Sequence, residues 1–183
     1  MKLKTLISTA VTTVLGAVII LPAQATDGTI TFTGSVTATT CTIGVDAGGP
    51  TATVTLPVAR LDQLRGIGST TGATTFNIRL SACQGPNAQN QGVAVHFEAG
   101  TNVNADGRLS NTAGIGRATG VDLEIRQGAA QTALVLGQVP AAGVGTINGG
   151  IATLPYTVRY HSTSAAPTAG TVSTSATYAI TYF

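Results

Sequence analysis

An antiparallel all-β domain, a sandwich or a barrel, is what this 183-residue sequence predicts. Three observations point there. Short runs alternate apolar and polar residues with a period of two. Gly, Asn and Pro punctuate these runs at close intervals. Charged residues make up only 9% of the chain, and Thr, Ala and Gly are abundant, which suits sheets and a surface packed against something else.

The chain opens on a targeting segment. Lys2 and Lys4 form a positive n-region, an apolar stretch runs from Leu6 to Leu21, and Ala23-Gln24-Ala25 is an A-x-A cleavage site. As a membrane span the apolar stretch is short and loosened by threonines. Cleavage after Ala25 leaves 158 residues (183 − 25), enough for one domain with a real core. Both lysines leave with the signal. The mature part then has seven arginines (9 − 2) and seven acids, so its formal net charge is zero. With no arginine cluster it has no electrostatic footprint for nucleic acid.

The first mature run is "GTITFTGSVTATTC", Gly28 to Cys41. Ile30, Phe32, Gly34 and Val36 share one parity, with Thr and Ser on the other, so a half-buried strand is expected at a chain end that usually frays. "TATVTLPV" (51–58) reads as a second strand. "VARLDQLRG" repeats Val58, Leu61 and Leu64 at three-residue spacing, a short connecting turn of helix. "TTFNIRLSAC" (74–83) aligns Phe76, Ile78 and Leu80, and "GVAVHFEAG" aligns Val93, Val95 and Phe97. "GVDLEIRQG" places Val121, Leu123 and Ile125 inward, with Asp122, Glu124 and Arg126 outward. "TALVLG", "TLPYTVRYH" and "TVSTSATYAITYF" complete the set. Seven or more short strands favour a sandwich or barrel. The glycine-rich pieces "GIGSTTG", "GIGRATG" and "GVGTING" read as connecting loops, since no fixed period joins them.

Cys41 and Cys83 are the two cysteines. In an exported chain one disulfide is the default, and closing a loop of that length stabilises by roughly 4 kcal/mol in the chain-entropy treatment. Two cysteines without a neighbouring histidine do not make a zinc site.

The remaining chemistry is thin. The glycine pieces are one residue off a dinucleotide fingerprint and open no helix after a strand. "NVNADGRLSNTA" (102–113) begins like a calcium loop, but Ala113 stands where a bidentate Glu is needed, so a surface turn is the better reading. His96 falls on the polar parity of a strand and His161 follows a strand end, with no G-x-S-x-G elbow. Asp122 and Glu124 lie on the exposed face of one strand. The expectation is no enzyme, no metal and no cofactor. An outer-membrane barrel fits poorly: the residues on Phe183's parity are Thr181, Ala179 and Thr177, and Trp is absent.

One resemblance covers essentially the whole mature chain. The N-terminal "GTITFTGSVTATTC", the second cysteine ending "FNIRLSAC", the central "GRLSNTAGIGRATGVDLEIRQ" and the C-terminal "LPYTVRYHSTSAAPTAGTVSTSATYAITYF" come in the order seen in type 1 fimbriae. With the penultimate Tyr182 and with Gly170 fourteenth from the end, the chain resembles the major pilin subunits of the chaperone–usher pathway. The resemblance implies an incomplete immunoglobulin-like β-sandwich, completed by a donor strand from a neighbouring subunit. Chaperone–pilin complementation is itself a standing instance of strand addition to a sheet edge. The implied layout is a signal peptide at 1–25, a donor extension at 26–37 and a pilin domain at 38–183. Ile30, Phe32, Gly34 and Val36 would be the donor positions. Gly170, Tyr178, Ile180, Tyr182 and Phe183 would form the C-terminal assembly motif, with Phe183 presenting its carboxylate to a periplasmic chaperone. Implied partners are identical or related pilin subunits, that chaperone and an outer-membrane usher. The implied destination is an extracellular fimbrium reached through the periplasm. The implied function is a structural subunit that polymerises by donor-strand exchange into the shaft of a surface fimbria supporting adhesion; the alternative is a minor adaptor or terminator subunit of the same type of fimbria.

Overall fold

The computed structural model describes Val36 and residues 38–85, 88–141 and 144–183. The signal segment and the donor positions Ile30, Phe32 and Gly34 lie outside the described residues. Among the described residues nine strands form: β1 (Thr40–Val45), β2 (Thr70–Gln84), β3 (Gly92–Phe97), β4 (Leu109–Ser110), β5 (Val121–Gln127), β6 (Thr132–Ala133), β7 (Gly145–Thr146), β8 (Ala152–Ser162) and β9 (Tyr178–Tyr182). All ladders are antiparallel. The larger sheet runs β1-β2-β8-β5-β4 with β6 also on β5; the smaller runs β7-β3-β9.

Alternation in the sequence becomes the two inner faces of a sandwich. Phe76, Ile78 and Leu80 of β2, Leu123 and Ile125 of β5, and Leu154, Tyr156 and Val158 of β8 face Val93, Val95 and Phe97 of β3 in one core. Val121 is buried too, but in a satellite cluster with Leu64 and Ala118. The Cys41–Cys83 disulfide joins β1 to the end of β2. A register shift lies beside it between Thr40 and Thr42, with Ala82 on the opposing strand in the left-handed region at φ 48°, the signature of an extra residue bulging out of a ladder.

Tyr156 is the largest fully buried side chain at 1% exposure. Its ring stacks on Phe76 at 5.7 Å and meets Phe97 edge-on at 5.3 Å. The hydroxyl is buried without a well-formed hydrogen bond. Burial pushes its pKa from 10.0 up to about 12, and the nearby Val95 main chain offsets part of that rise. Tyr156→Phe removes the buried hydroxyl while keeping both ring contacts, and is expected to leave stability within about 1 kcal/mol of the parent in urea unfolding at neutral pH. The sign of the pH effect follows from the raised value. The protonated form is favoured by the fold below pH 10, and stability falls as pH climbs from 10 through 12. The Phe variant should lose that part of the alkaline slope, and an unchanged slope would refute the assignment.

Several sequence expectations change. The 51–58 run alternates, with Val54 and Leu56 half-buried between exposed neighbours, but joins no ladder among the described residues. "GIGSTTG" and "GVGTING" are not only loops: the first carries the start of β2 and the second contains β7. "TALVLG" pairs only at Thr132–Ala133. The helical turn is a 3-10 helix at Leu61–Leu64 that buries Leu64, while Val58 is fully exposed ahead of it. Glu124 points outward yet is only 7% exposed, because Arg159 Nε and Arg126 Nη1 close over it at 2.6 and 3.1 Å. His161 sits within β8 opposite Asp122, and burial, followed by the charge of Arg108, lowers its pKa.

Candidate functional site: a groove with two unpaired banks

The larger sheet loses its neighbour after β1. Asp46 turns the chain in the left-handed region at φ 50°. Its Oδ1 accepts from the Asn77 amide at 2.9 Å and from Asn77 Nδ2 at 3.2 Å. The chain then crosses to the open side of the sandwich as residues 51–56, bracketed by Pro50 and Pro57. Val54 and Leu56 face the core and are half-buried, while Thr53 and Thr55 are exposed. No main-chain hydrogen bond joins residues 51–56 to any other described residue. The flanking prolines lack the N–H that a ladder would use.

The opposite bank is the C-terminal run. Residues 171–180 alternate exposed and half-buried, with Val172, Thr174, Ala176, Tyr178 and Ile180 turned inward. β9 pairs with β3 on one side only, and among the described residues it is the edge of its sheet. Glu98 donates to the Thr177 carbonyl and Phe183 donates to the Gly92 carbonyl. Antiparallel pairing alternates its bonded positions. The N–H and C=O groups of Tyr178, Ile180 and Tyr182 therefore face the other way, toward the gap.

Between the banks lies a groove of about 670 Å³. Its floor is core: Phe76, Ile78, Leu123, Ile125 and Val158 of the larger sheet, and Phe97 of the smaller. A gap floored by apolar side chains and flanked by unpaired strand edges has the form of a sandwich short of one strand. What it can accept is an extended peptide with one apolar parity, paired along both edges.

The sequence model described as fimbrial protein matches residues 30–182. The chain belongs to the fimbrial protein family. This fimbrial protein is 38% identical over 169 residues to the major fimbrial subunit SMF-1 of Stenotrophomonas maltophilia, covering 88% of this chain and 96% of that one. It is 36% identical over 159 residues to the type-1 fimbrial protein A chain of Escherichia coli, covering 85% and 83%. Among solved structures it is similar to the antigen and type I fimbria protein of Burkholderia pseudomallei, with TM-score 0.53, 29% identity and coverage of 80% and 99%. The P pilus rod subunit PapA shares the fold with TM-score 0.59 at 23% identity, covering 78% and 99%.

Within this fimbrial protein the residues singled out from sequence fall in three places. Tyr178, Ile180 and Tyr182 are on β9 with their main-chain groups toward the gap. Burial raises the pKa of Tyr178 and of Tyr182. Phe183 is 47% exposed just past the strand. Gly170 sits at the far end of the C-terminal run, where that run crosses the 116–118 loop. Thr171 donates to Gly116 and accepts from Ala118, and a Cβ on Gly170 would land on the main chain of Gly116, Arg117 and Ala118. Only glycine allows that approach. Val36 is fully exposed ahead of β1.

Sequence reasoning missed the 51–56 bank as part of the site. The available signal was an alternating run flanked by Pro50 and Pro57, which argues against a central strand. Asn104 of the suspected calcium loop has its Oδ1 engaged by the Asp106 and Arg108 amides, both at 3.0 Å, the bonding of an Asx turn. Among the described residues no group of three or more His, Cys, Asp and Glu is placed to hold a metal ion.

Proposed function

We propose that this fimbrial protein is a shaft subunit that polymerises by donor-strand exchange, residues 26–37 of one copy filling the groove of the next. The observation that carries the proposal is the groove itself, with an apolar floor between the 51–56 bank and β9, neither of which has a partner on the groove side among the described residues. The N-terminal run has the matching form: Ile30, Phe32 and Val36 as plugs and Gly34 where a side chain would obstruct. Val36 leaving the body fully exposed suits an extension that reaches a neighbour. Such a joint uses one surface to give and another to receive, so it is head-to-tail and extends into a filament. The name of the SMF-1 relative favours a major subunit over an adaptor or terminator. On the same reading a periplasmic chaperone occupies the groove first, an outer-membrane usher passes the subunit on, and the fibre ends outside the cell.

Competition tests this. A free peptide of residues 26–37, added in excess to growing fibres, is expected to cap acceptor grooves and stop elongation, followed by light scattering and electron microscopy. Elongation at an undiminished rate would count against the groove as acceptor.

A further inference from the structure

Among the described residues the 51–56 bank has no main-chain partner, yet it is tied at both ends by tyrosine hydroxyls. Tyr178, from the opposite bank, donates to the Pro50 carbonyl at 2.7 Å. Tyr160, from β8, donates to the Pro57 carbonyl at 3.1 Å. Tyr160 reaches Pro57 across Gly72, where an added Cβ would meet the Tyr160 ring at 2.7 Å and the Pro57 ring at 3.6 Å. The path of that ring is therefore built into β2. Pro50 and Tyr178 both line the groove, so their bond spans it directly. A gap one strand wide corresponds to two ladder spacings, about 9–10 Å, which an extended tyrosine side chain and its hydrogen bond are long enough to bridge.

Without ties, an unpaired bank beside an apolar floor has every reason to collapse inward and bury that floor. We propose that the Tyr178 and Tyr160 hydroxyls are positioning groups that hold the 50–57 strap one strand away from β9, keeping the groove preorganised for an incoming strand. This rests on the strand-accepting reading of the groove. Preorganisation lowers the cost of binding before the partner arrives. Once a donor strand is seated, its own ladder bonds hold the strap, and the two hydroxyls matter less. Their loss should therefore slow insertion while leaving departure nearly unchanged.

The test uses the processed full-length subunit with Tyr178→Phe, Tyr160→Phe and both together. Phenylalanine keeps the rings and removes only the donors. Fibre elongation is expected to slow about five- to tenfold per hydroxyl, with subunit dissociation from finished fibres within about twofold of the parent. Ser69→Ala serves as the control: it removes one hydroxyl-to-carbonyl bond of the same kind, to Arg65 at 2.7 Å, away from the groove lining, and should elongate at the parent rate. Parent-like elongation of the double variant overturns the proposal, as does a loss confined to dissociation, which marks a merely stabilising contact. If the double variant does not fold, Tyr160→Phe alone, outside the groove lining, gives the same comparison. Failure of the parent subunit itself to elongate would instead overturn the groove reading.

Discussion

Deleting residues 26–37 is expected to abolish fibre formation and leave single subunits, read by electron microscopy and size-exclusion chromatography. The magnitude follows from what the segment contributes on the proposed reading. Burying Ile30, Phe32 and Val36 is worth roughly 1.5–3 kcal/mol each. Each ladder hydrogen bond adds roughly 0.5–1.5 kcal/mol. The groove offers two unpaired edges rather than one, so the inserted strand bonds on both sides. Ordering a loose terminus opposes these gains. The gross stabilisation is about 10 kcal/mol or more, and deletion removes all of it. Gly34→Val is the milder form of the same experiment: a side chain added among the plugs should slow elongation without unfolding the body. Deleted subunits that still grow fibres of normal length would end the donor-strand account.

Removing the Cys41–Cys83 disulfide with paired serine substitutions is expected to cost roughly 4 kcal/mol, close to a 10 °C fall in melting temperature for a domain of this size. The location sharpens the expectation. Among the described residues β1 is the outermost strand of its sheet and pairs only with β2, and the disulfide ties the two together. β1 is also the first strand after Val36, where the proposed donor extension joins the body. Tension along a fibre would enter each subunit through that strand. Calorimetry of the oxidised and serine forms checks stability, and shearing of fibres checks load. A shift of less than about 2 °C would show that the ladder alone secures β1.

Much of the fold was legible because period-two alternation is a direct record of which face is buried. Phe76, Ile78 and Leu80, and Val93, Val95 and Phe97, could be assigned inward without coordinates, and all six lie in the core. The same rule overreached at 51–58. Alternation reports burial of one face, and Val54 and Leu56 are indeed turned to the core, but it carries no information about edge partners. Glu124 failed for a related reason. Its parity is outward, and the arrival of Arg159 from β8 beside it, together with Arg126, covers the carboxylate. The tyrosines were legible as members of a C-terminal pattern, not as ties, because Pro50 and Tyr178 are brought together only by the chain's return across the sandwich.

The sequence by itself determined the all-β class, the face each strand of the core buries, the cysteine pair and the resemblance to pilins, since these depend on local periodicity and residue spacing. Only the tertiary structure decided that, among the described residues, one strand position is open, which two segments border it and what holds them apart. Those properties belong to pairs of residues more than a hundred positions apart, such as Pro50 with Tyr178 and Pro57 with Tyr160. A vacancy between two such segments leaves no mark on either of them alone.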